Sequence, residues 1–255
     1  MNRFLRFFPI ISLAMLFALW YLISIIVGSD FLFPSPSAVF ADLGEFFLSE
    51  DFFPSLFGSL YRIALSFSAA LILAFLFAML AYKSIIAQKL LQPFVLLSRS
   101  TPTMSLIFIC LIWFSSYISP MVVSFAVLFP LLYSVFSGAL FGVDEKLIEM
   151  TVAYGFSRAN AIKNLYIPFV AKTAYPQVAG ALSFNVKLII AGEAWAQTAK
   201  SLGRVMYKAN VNLETARLFA ATIVALALSF ALELLLNGIR KLSEKIRYAK
   251  INKHN

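Results

Sequence analysis

Long apolar runs dominate this sequence, and they restrict what the chain can fold into more than any other feature. Six runs approach or exceed the roughly 20 residues that a helix needs to cross a bilayer. They cover about residues 7–27, 56–82, 93–117, 121–141, 175–196 and 218–236. Only 13% of the residues are charged, compared with about a quarter in a soluble domain. The sequence therefore predicts an all-α polytopic membrane protein with about six transmembrane helices.

The positive charges predict how these helices are oriented. Arg3 and Arg6 precede the first run, which is longer than the apolar core of a signal peptide, about 7–15 residues. Basic residues also follow the last run, so we expect both termini to be cytoplasmic. Residues 1–28 would form an N-terminal tail and first helix, and residues 29–255 a core of five further helices. The net charge of +9 suits anionic lipid and not nucleic acid, because the aromatic residues lie inside apolar runs.

The connections and prolines predict local structure. The apolar spacing of Ala38–Leu48 predicts a short helix along the membrane surface. Pro93 is expected to open the third span, and Pro102 to break or kink it. The fifth span should begin near Tyr175-Pro176, and Asn212 should cap the sixth helix.

One connection disagrees with this topology. Residues 197–217 should lie outside the cell, where basic residues are usually few. The segment nevertheless contains four of them, Lys200, Arg204, Lys208 and Arg217. The positive-inside rule is statistical and tolerates such an exception.

A polar stretch from about residue 144 to 172 separates the fourth run from the fifth. Gly155 can end a first short helix in a left-handed conformation, a second short helix would follow it, and the chain would re-enter the membrane at Pro168. Such an amphipathic pair can bind in a groove of a soluble partner; the alternative is an ordinary solvated connection. The residues expected on one face of the first helix are Leu147, Met150, Thr151 and Tyr154, and those expected in the second are Ala159, Ile162 and Lys163.

The sequence lacks the motifs of common hydrolases. None of its ten glycines is followed by lysine, so the phosphate-binding loop G-x-x-x-x-G-K-[ST] is absent, as are H-E-x-x-H and G-x-S-x-G. Cys110 lies in an apolar run and His254 is the single histidine, so neither a metal site nor histidine-based catalysis is expected. An active transporter of this sequence would take its energy from another chain. A secondary transporter and a membrane-embedded enzyme are the alternatives.

Four polar or charged residues lie within or beside apolar runs, where ionisable groups are costly unless they face water or a partner. Lys187 either faces a translocation pathway and attracts an anionic group, or forms a structural pair inside the bundle. Glu193 either contributes to that pathway or lies at the outer membrane edge. Arg99 either lines the pathway or extends to the cytoplasmic edge. Asn185 is a candidate neighbour of Lys187 in the pathway.

The polar stretch resembles a known loop. Glu149, Gly155 and Pro168 have the spacing E-x(5)-G-x(9)-[aliphatic]-x-[aliphatic]-P. This is similar to the EAA loop of ABC importer permeases, E-A-A-x(3)-G-x(9)-I-x-L-P, with Met150 and Thr151 in place of the alanines. Three more segments resemble the nitrate/sulfonate/taurine branch of these permeases: residues 33–39 resemble L-P-S-P-S-x-V, residues 99–102 resemble R-x-I-P, and residues 191–193 stand where the branch has A-A-E.

The resemblance implies a type I (MetI-like) permease fold, in the transmembrane subunit of a binding-protein-dependent importer of the bacterial inner membrane. ATP and Mg²⁺ would bind to separate ATPase subunits, and this chain would bind no cofactor. A substrate-binding lipoprotein or periplasmic protein would deliver a small organic or anionic solute, such as a sulfonate, nitrate, taurine, or a vitamin or pyrimidine precursor. A second permease copy would complete a homodimer. The coupling residues implied by the resemblance are Glu149, Met150, Thr151, Ala153, Tyr154, Gly155, Phe156, Arg158 and Pro168.

Overall fold

The computed structural model describes residues 8–251, and Arg3, Arg6 and His254 lie outside this range. Residues 8–251 are largely helical and contain no β-strand. The helices are α1 (Phe8–Val27), α2 (Pro36–Leu48), α3 (Phe52–Lys83), α4 (Ile85–Ser100), α5 (Thr103–Trp113), α6 (Ser119–Phe141), α7 (Glu145–Ala153), α8 (Arg158–Ala161), α9 (Ile167–Ala196), α10 (Leu202–Val211) and α11 (Thr215–Ile251). A π-helical turn, Ile162–Tyr166, joins α8 to α9.

Five of these helices are long and apolar enough to cross a membrane, and α4 with α5 forms a bent sixth candidate. The described spans thus confirm the predicted polytopic helical architecture. The predicted start of the fifth span near Tyr175-Pro176 is wrong, because α9 begins at Ile167 and holds Pro176 in its interior. Pro168 occupies the first turn of α9, directly after the π-helical turn.

Pro102 breaks the third span, as predicted. The axes of α4 and α5 are bent by 104°. Thr101 has an extended backbone, which is the conformation that a following proline favours.

The expectation that Pro93 opens the third span is wrong. α4 begins eight residues earlier, directly after Ser84, whose hydroxyl caps the helix, and Pro93 lies inside it.

The bundle has two ends, which we name after the short helices found there. At the α7 end, the hydroxyls of Tyr82 and Tyr166 form a hydrogen bond of 3.1 Å between α3 and the π-helical turn. At the α10 end, Thr198 Oγ1 donates to the carbonyl oxygen of Ser116 at 2.7 Å. The spans therefore alternate in direction, and the α9–α10 connection lies beside the α5–α6 connection.

α2 confirms the short helix predicted for Ala38–Leu48. Ser35 caps it, since its Oγ accepts a hydrogen bond from the Ala38 N–H at 3.3 Å. The Ser35 N–H donates to Asp30 Oδ1 at 2.7 Å. This hydrogen bond holds the pKa of Asp30 below its usual range. The turn before α2 is thus fixed by two side chains.

The start of α11 is joined to α2. Arg217 Nε lies 2.7 Å from Asp42 Oδ2, and its Nη2 lies 3.9 Å from Glu45 Oε2.

The prediction that Asn212 caps α11 is wrong. Asn212 is instead the C-cap of α10, and Leu213 follows it with a φ of 60°, so the chain turns before α11 begins.

Small residues let α3 pack closely against α6. Ala70, Ala74 and Ala78 recur every four residues along α3 and are fully buried. Residues of this size allow helix backbones to approach each other in a membrane, where burial of apolar surface gives no driving force. Phe75 and Phe136 fill the adjacent space with an edge-on ring contact, their centroids 5.4 Å apart.

A buried ion pair joins α3 to α9 near the α10 end. Arg62 Nη1 lies 2.8 Å from Glu193 Oε1, and the two side chains are 1% and 0% exposed. Glu193 Oε2 accepts hydrogen bonds from Ser59 Oγ at 2.7 Å and from the Gly203 N–H at 3.3 Å. The carboxylate is therefore bonded on both oxygens, as a charge removed from water requires.

Arg62 also fixes the turn between α9 and α10. Its Nη2 donates to the carbonyl oxygen of Ala199 at 3.1 Å, and its Nη1 donates to that of Lys200 at 3.5 Å. Gly58, one helical turn before Arg62, lies against the same backbone, and a Cβ there would overlap the Lys200 carbonyl oxygen. Lys200 has a φ of 50°, which is uncommon for a residue with a Cβ. Arg62 and Gly58 thus hold the backbone that carries the Lys200 side chain.

We predict that Glu193→Leu lowers the free energy of unfolding by about 3–5 kcal/mol, because it leaves the Arg62 guanidinium buried without a counter-charge. The double variant Arg62→Leu/Glu193→Leu should lose less than the sum of the two single variants, since it removes both charges. Thermal unfolding in lipid nanodiscs measures these changes, with Lys187→Leu on the exposed side of α9 as control. A Glu193→Leu protein as stable as the wild type would contradict the prediction.

Candidate functional site: the α7 loop and the open face of α9

Capping interactions fix both ends of α7. Asp144 Oδ1 accepts a hydrogen bond from a first-turn backbone N–H at 2.9 Å. At the other end, Gly155 has a φ of +68°. Its N–H donates to the Val152 carbonyl oxygen at 3.0 Å, and the Phe156 N–H donates to that of Thr151 at 2.9 Å. These bonds form a Schellman motif, which confirms that Gly155 ends the first short helix in a left-handed conformation.

The α7 loop, which we define as residues 144–157, exposes apolar side chains. Those exposed are Met150 (50%), Val152 (73%), Tyr154 (75%) and Phe156 (46%). Thr151 is buried and Leu147 is half-buried, so the predicted face is divided: two of its members face the bundle, and Met150 and Tyr154 face outward. Exposed apolar groups of this kind occur where a protein meets another protein, a membrane or a ligand.

The second helix of the loop is the beginning of the next span. The backbone of Arg158 starts α8, while its side chain lies outside the described part of the structure. α8 continues through the π-helical turn into α9 without a break, and Pro168 stands in the first turn of α9. The second short helix is therefore not separate from the fifth span, and Pro168, the residue at which the chain was expected to re-enter the membrane, lies at the beginning of α9.

One face of α9 is exposed along most of its length, and we call it the open face of α9. Its members recur at intervals of three and four residues, the spacing of one helix face. They are Thr173, Gln177, Gly180, Phe184, Lys187, Ala191 and Trp195. Two of them, Gln177 and Lys187, have side chains that lipid tails cannot solvate. This face must therefore meet water or another protein surface within the span.

Arg99 lies beside the open face. A cavity of about 460 Å³ is lined by Arg99, by residues of α6 including Ser134, and by Gln177, Gly180 and Phe184 of α9. No carboxylate lines this cavity. Lys187 follows Phe184 on the same face and forms no ion pair or side-chain hydrogen bond with any residue of the described range. The exposed surface thus presents two cations and no counter-charge.

The structure separates the four intramembrane residues singled out in the sequence. Lys187 and Arg99 lie on exposed surfaces. Asn185 and Glu193 lie inside the bundle, each with no exposed surface. Asn185 Nδ2 donates to the Ile63 carbonyl oxygen at 2.9 Å, and its Oδ1 accepts from Ser66 and Ser124. Because these contacts satisfy Asn185 and Glu193 fully, both side chains hold helices together in this arrangement.

Sequence reasoning missed Arg62 and Gln177. Arg62 is an arginine inside an apolar run, and Glu193 is a carboxylate near the end of another run on the same side. Two opposite charges at similar depth were the available signal that the residues pair. For Gln177, the signal was its helical spacing from Lys187 through Gly180 and Phe184.

These features define a multi-pass membrane protein of the transport class: a bundle of spans, one polar exposed helix face within it, and a capped apolar loop at one end. The chain belongs to the family described as the binding-protein-dependent transport system inner membrane component, which matches residues 70–245, more than half of the chain. It is thus the translocation subunit of an ABC importer for small solutes.

A curated relative and solved structures agree with this assignment. The chain is 24% identical over 217 residues to the putative aliphatic sulfonates transport permease protein SsuC of Bacillus subtilis (strain 168), covering 83% of this chain and 77% of the relative. This match confirms the resemblance to the sulfonate branch.

Two structures of importers confirm the type I permease fold. One is a bacterial ABC transporter involved in the import of the acidic polysaccharide alginate, with a TM-score of 0.62, 16% identity, and coverage of 92% of this chain and 96% of that chain. The other is the MetNI methionine ABC transporter in an inward-facing conformation, with a TM-score of 0.54, 19% identity, and coverage of 72% and 94%.

We predict that thiol labelling distinguishes the two sides of α9. Cys110 is the single cysteine, so Cys110→Ala provides a cysteine-free background. In that background Lys187→Cys should react with a charged methanethiosulfonate reagent, because position 187 is exposed, whereas Val186→Cys at 2% exposure should not. Mass spectrometry of protein in liposomes measures the extent of labelling. Absence of labelling at position 187 would show that the open face is not solvated, and equal labelling of both positions would contradict the predicted difference between the two sides of α9.

Proposed function

We propose that the α7 loop binds an ATPase subunit and that this contact drives transport through the bundle. The observation that carries the proposal is the group of four exposed apolar side chains around α7, on a backbone fixed by caps at both ends. The spacing of Glu149, Gly155 and Pro168 supports an ATPase as the partner. ATP and Mg²⁺ would bind to that partner, because this chain has no phosphate-binding loop.

In this proposal the α7 end faces the cytoplasm and the α10 end faces outward. The basic residues that follow the last apolar run support this orientation. A substrate-binding protein, either soluble or lipid-anchored, would deliver solute to the α10 end. The importer would then lie in the bacterial inner membrane.

A second copy of the chain would close the pathway. The open face of α9 lies on the outside of this chain, with polar side chains at Gln177 and Lys187. Irregular or polar surfaces at membrane depth are stable only where protein or water covers them. A second permease copy facing the first would supply that cover, and the water between the two copies would form the route for the solute.

The solute is proposed to be a small anion. Lys187 and Arg99 are the charges on the open face and in the adjoining cavity, and both are positive. Fixed cations in a narrow pathway raise the local concentration of anions and lower that of cations. The relative named for aliphatic sulfonates supports an organic anion as the cargo.

We predict that Gly155→Pro abolishes uptake while the protein inserts normally. Proline cannot adopt the φ of +68° found at Gly155, and it lacks the N–H that bonds to Val152. No atom lies within 4 Å of a Cβ at this position, so the disturbance stays in the loop. The amount of membrane-inserted protein, co-purified ATPase and uptake of an aliphatic sulfonate by cells are the three measurements.

A matched control distinguishes coupling from backbone strain. Gly28, at the far end of the bundle, has a φ of +63° and donates its N–H to Ser24 at 3.0 Å. Gly28→Pro therefore makes the same chemical change away from the loop and should leave ATPase co-purification intact. Normal uptake by the Gly155→Pro protein would refute the assignment of the α7 loop as the coupling site.

We predict that Lys187 gives the open face a preference for anions. A charge about 6 Å from a reacting thiol changes its attraction for a monovalent reagent by about 0.7 kcal/mol in water. In a Phe184→Cys/Cys110→Ala protein, Lys187→Met should therefore lower the ratio of anionic to cationic labelling rates about tenfold, since the two rates change in opposite directions. Lys172→Met, which removes an exposed cation earlier on the same helix, is the control. An unchanged ratio would remove Lys187 from the pathway.

A further inference from the structure

A second cavity lies at the α10 end, away from the open face of α9. It has a volume of about 420 Å³ and lies between the start of α3, α10 and the start of α11. Its size is within the range of small-molecule sites. The four basic residues that disagree with the positive-inside rule all line it: Lys200, Arg204, Lys208 and Arg217.

Three of these four cations have no counter-charge in the described structure. Arg217 is paired with Asp42. The side chains of Lys200, Arg204 and Lys208 form no ion pair or hydrogen bond with any residue of the range 8–251. Arg204 and Lys208 are four residues apart on α10, where like charges destabilise a helix. The cavity lining carries four cations against two carboxylates, Asp51 and Glu214, which leaves a net charge of +2.

Two carboxylates also line the cavity, and each lies at the N-terminus of a helix. Asp51 is the N-cap residue of α3, and Glu214 directly precedes α11, where it accepts a hydrogen bond from Asn212 Nδ2 at 3.4 Å. Helix N-termini stabilise negative charge. Neither carboxylate lies within 4.0 Å of a cationic nitrogen of Lys200, Arg204 or Lys208.

The buried core fixes the backbone that carries one of the cations, Lys200. Lys200 has its φ of 50° because Arg62 binds the backbone on either side of it and Gly58 leaves room for its carbonyl oxygen. A charge held in place before a ligand arrives loses less entropy on binding than a mobile one. A lysine in an uncommon backbone conformation, held there by a buried ion pair, points to a role for its side chain.

We propose that this cavity binds a small organic anion, such as a sulfonate, a carboxylate or a phosphonate, at the outward-facing end of the protein. The inference rests on the proposed orientation and extends it: the solute would meet fixed cations at the α10 end before it reaches Lys187 and Arg99 in the span. The concave shape favours a small molecule over the flat surface of an acidic protein partner. Lys200, Arg204 and Lys208 are the residues that would bind it.

Isothermal titration calorimetry with ethanesulfonate tests the proposal. The permease is purified without an ATPase, in nanodiscs of neutral lipid, and carries Lys187→Met so that the lysine of the open face contributes nothing. Ethanesulfonate should bind saturably, and binding should weaken as ionic strength rises. Lys200→Gln/Lys208→Gln should weaken it at least tenfold. Lys83→Gln/Lys172→Gln, which removes two cations at or near the α7 end, should leave it unchanged.

The outcomes separate this site from the coupling proposal. If the double variant fails to fold, Lys208→Gln alone serves, because this exposed side chain makes no contact that folding needs. Absent or non-saturable binding, or equal affinity in wild type and variants, would overturn the proposal. So would binding of an acidic soluble protein without binding of ethanesulfonate. None of these results bears on the α7 loop, because no ATPase is present.

Discussion

The α10 end of the protein depends on the buried ion pair between Arg62 and Glu193. Removing two charges from water costs several kcal/mol per ion, and only complete bonding offsets that cost. Most of this requirement is met by Ser59, Gly203 and the backbone at Ala199, which form one cluster with the pair. Arg62 Nε is the one buried side-chain nitrogen or oxygen of the described residues without a hydrogen-bond partner. α3, α9 and the turn before α10 are thereby held in one arrangement. The position of the α10 helix, and of the cations it carries, follows from this cluster.

α9 carries two kinds of polar residue on opposite sides. Asn185 and Glu193 face the bundle and are satisfied by α3 and α6, so they determine how α9 packs. Gln177 and Lys187 face away from it and have no such partners in the described bundle. The same helix thus serves as the central packing element and, in the proposed function, would form the wall of an aqueous route. Each polar residue in the span is explained by the face on which it lies.

Features set by nearby residues could be predicted from the sequence, whereas those set by distant contacts could not. Pro102 breaks its helix and Gly155 ends α7, because a single residue restricts its own backbone in both cases. The same rule fails for Pro93 and Pro176, since helices within a bundle tolerate interior prolines when neighbouring groups satisfy the freed carbonyls. The pairing of Arg62 with Glu193 joins residues 131 positions apart. The residues of the open face of α9 are identified only once the buried side of the helix is known.

The unbroken helical path from Arg158 to Ala196 has a mechanical consequence. It runs from the α7 loop past Glu193 and ends three residues beyond it, over about 57 Å at 1.5 Å per residue. A displacement of the loop would therefore rotate or tilt the whole helix relative to the Arg62–Glu193 cluster, or it would deform the helix at its least regular point. That place is the π-helical turn at Ile162–Tyr166. If this turn changed to α-helical geometry, the parts of the helix on its two sides would rotate relative to each other. The rotation would be about 100° for each residue by which the helical register shifts. In the proposed function, the turn would act as a torsional joint between the loop and the open face of α9.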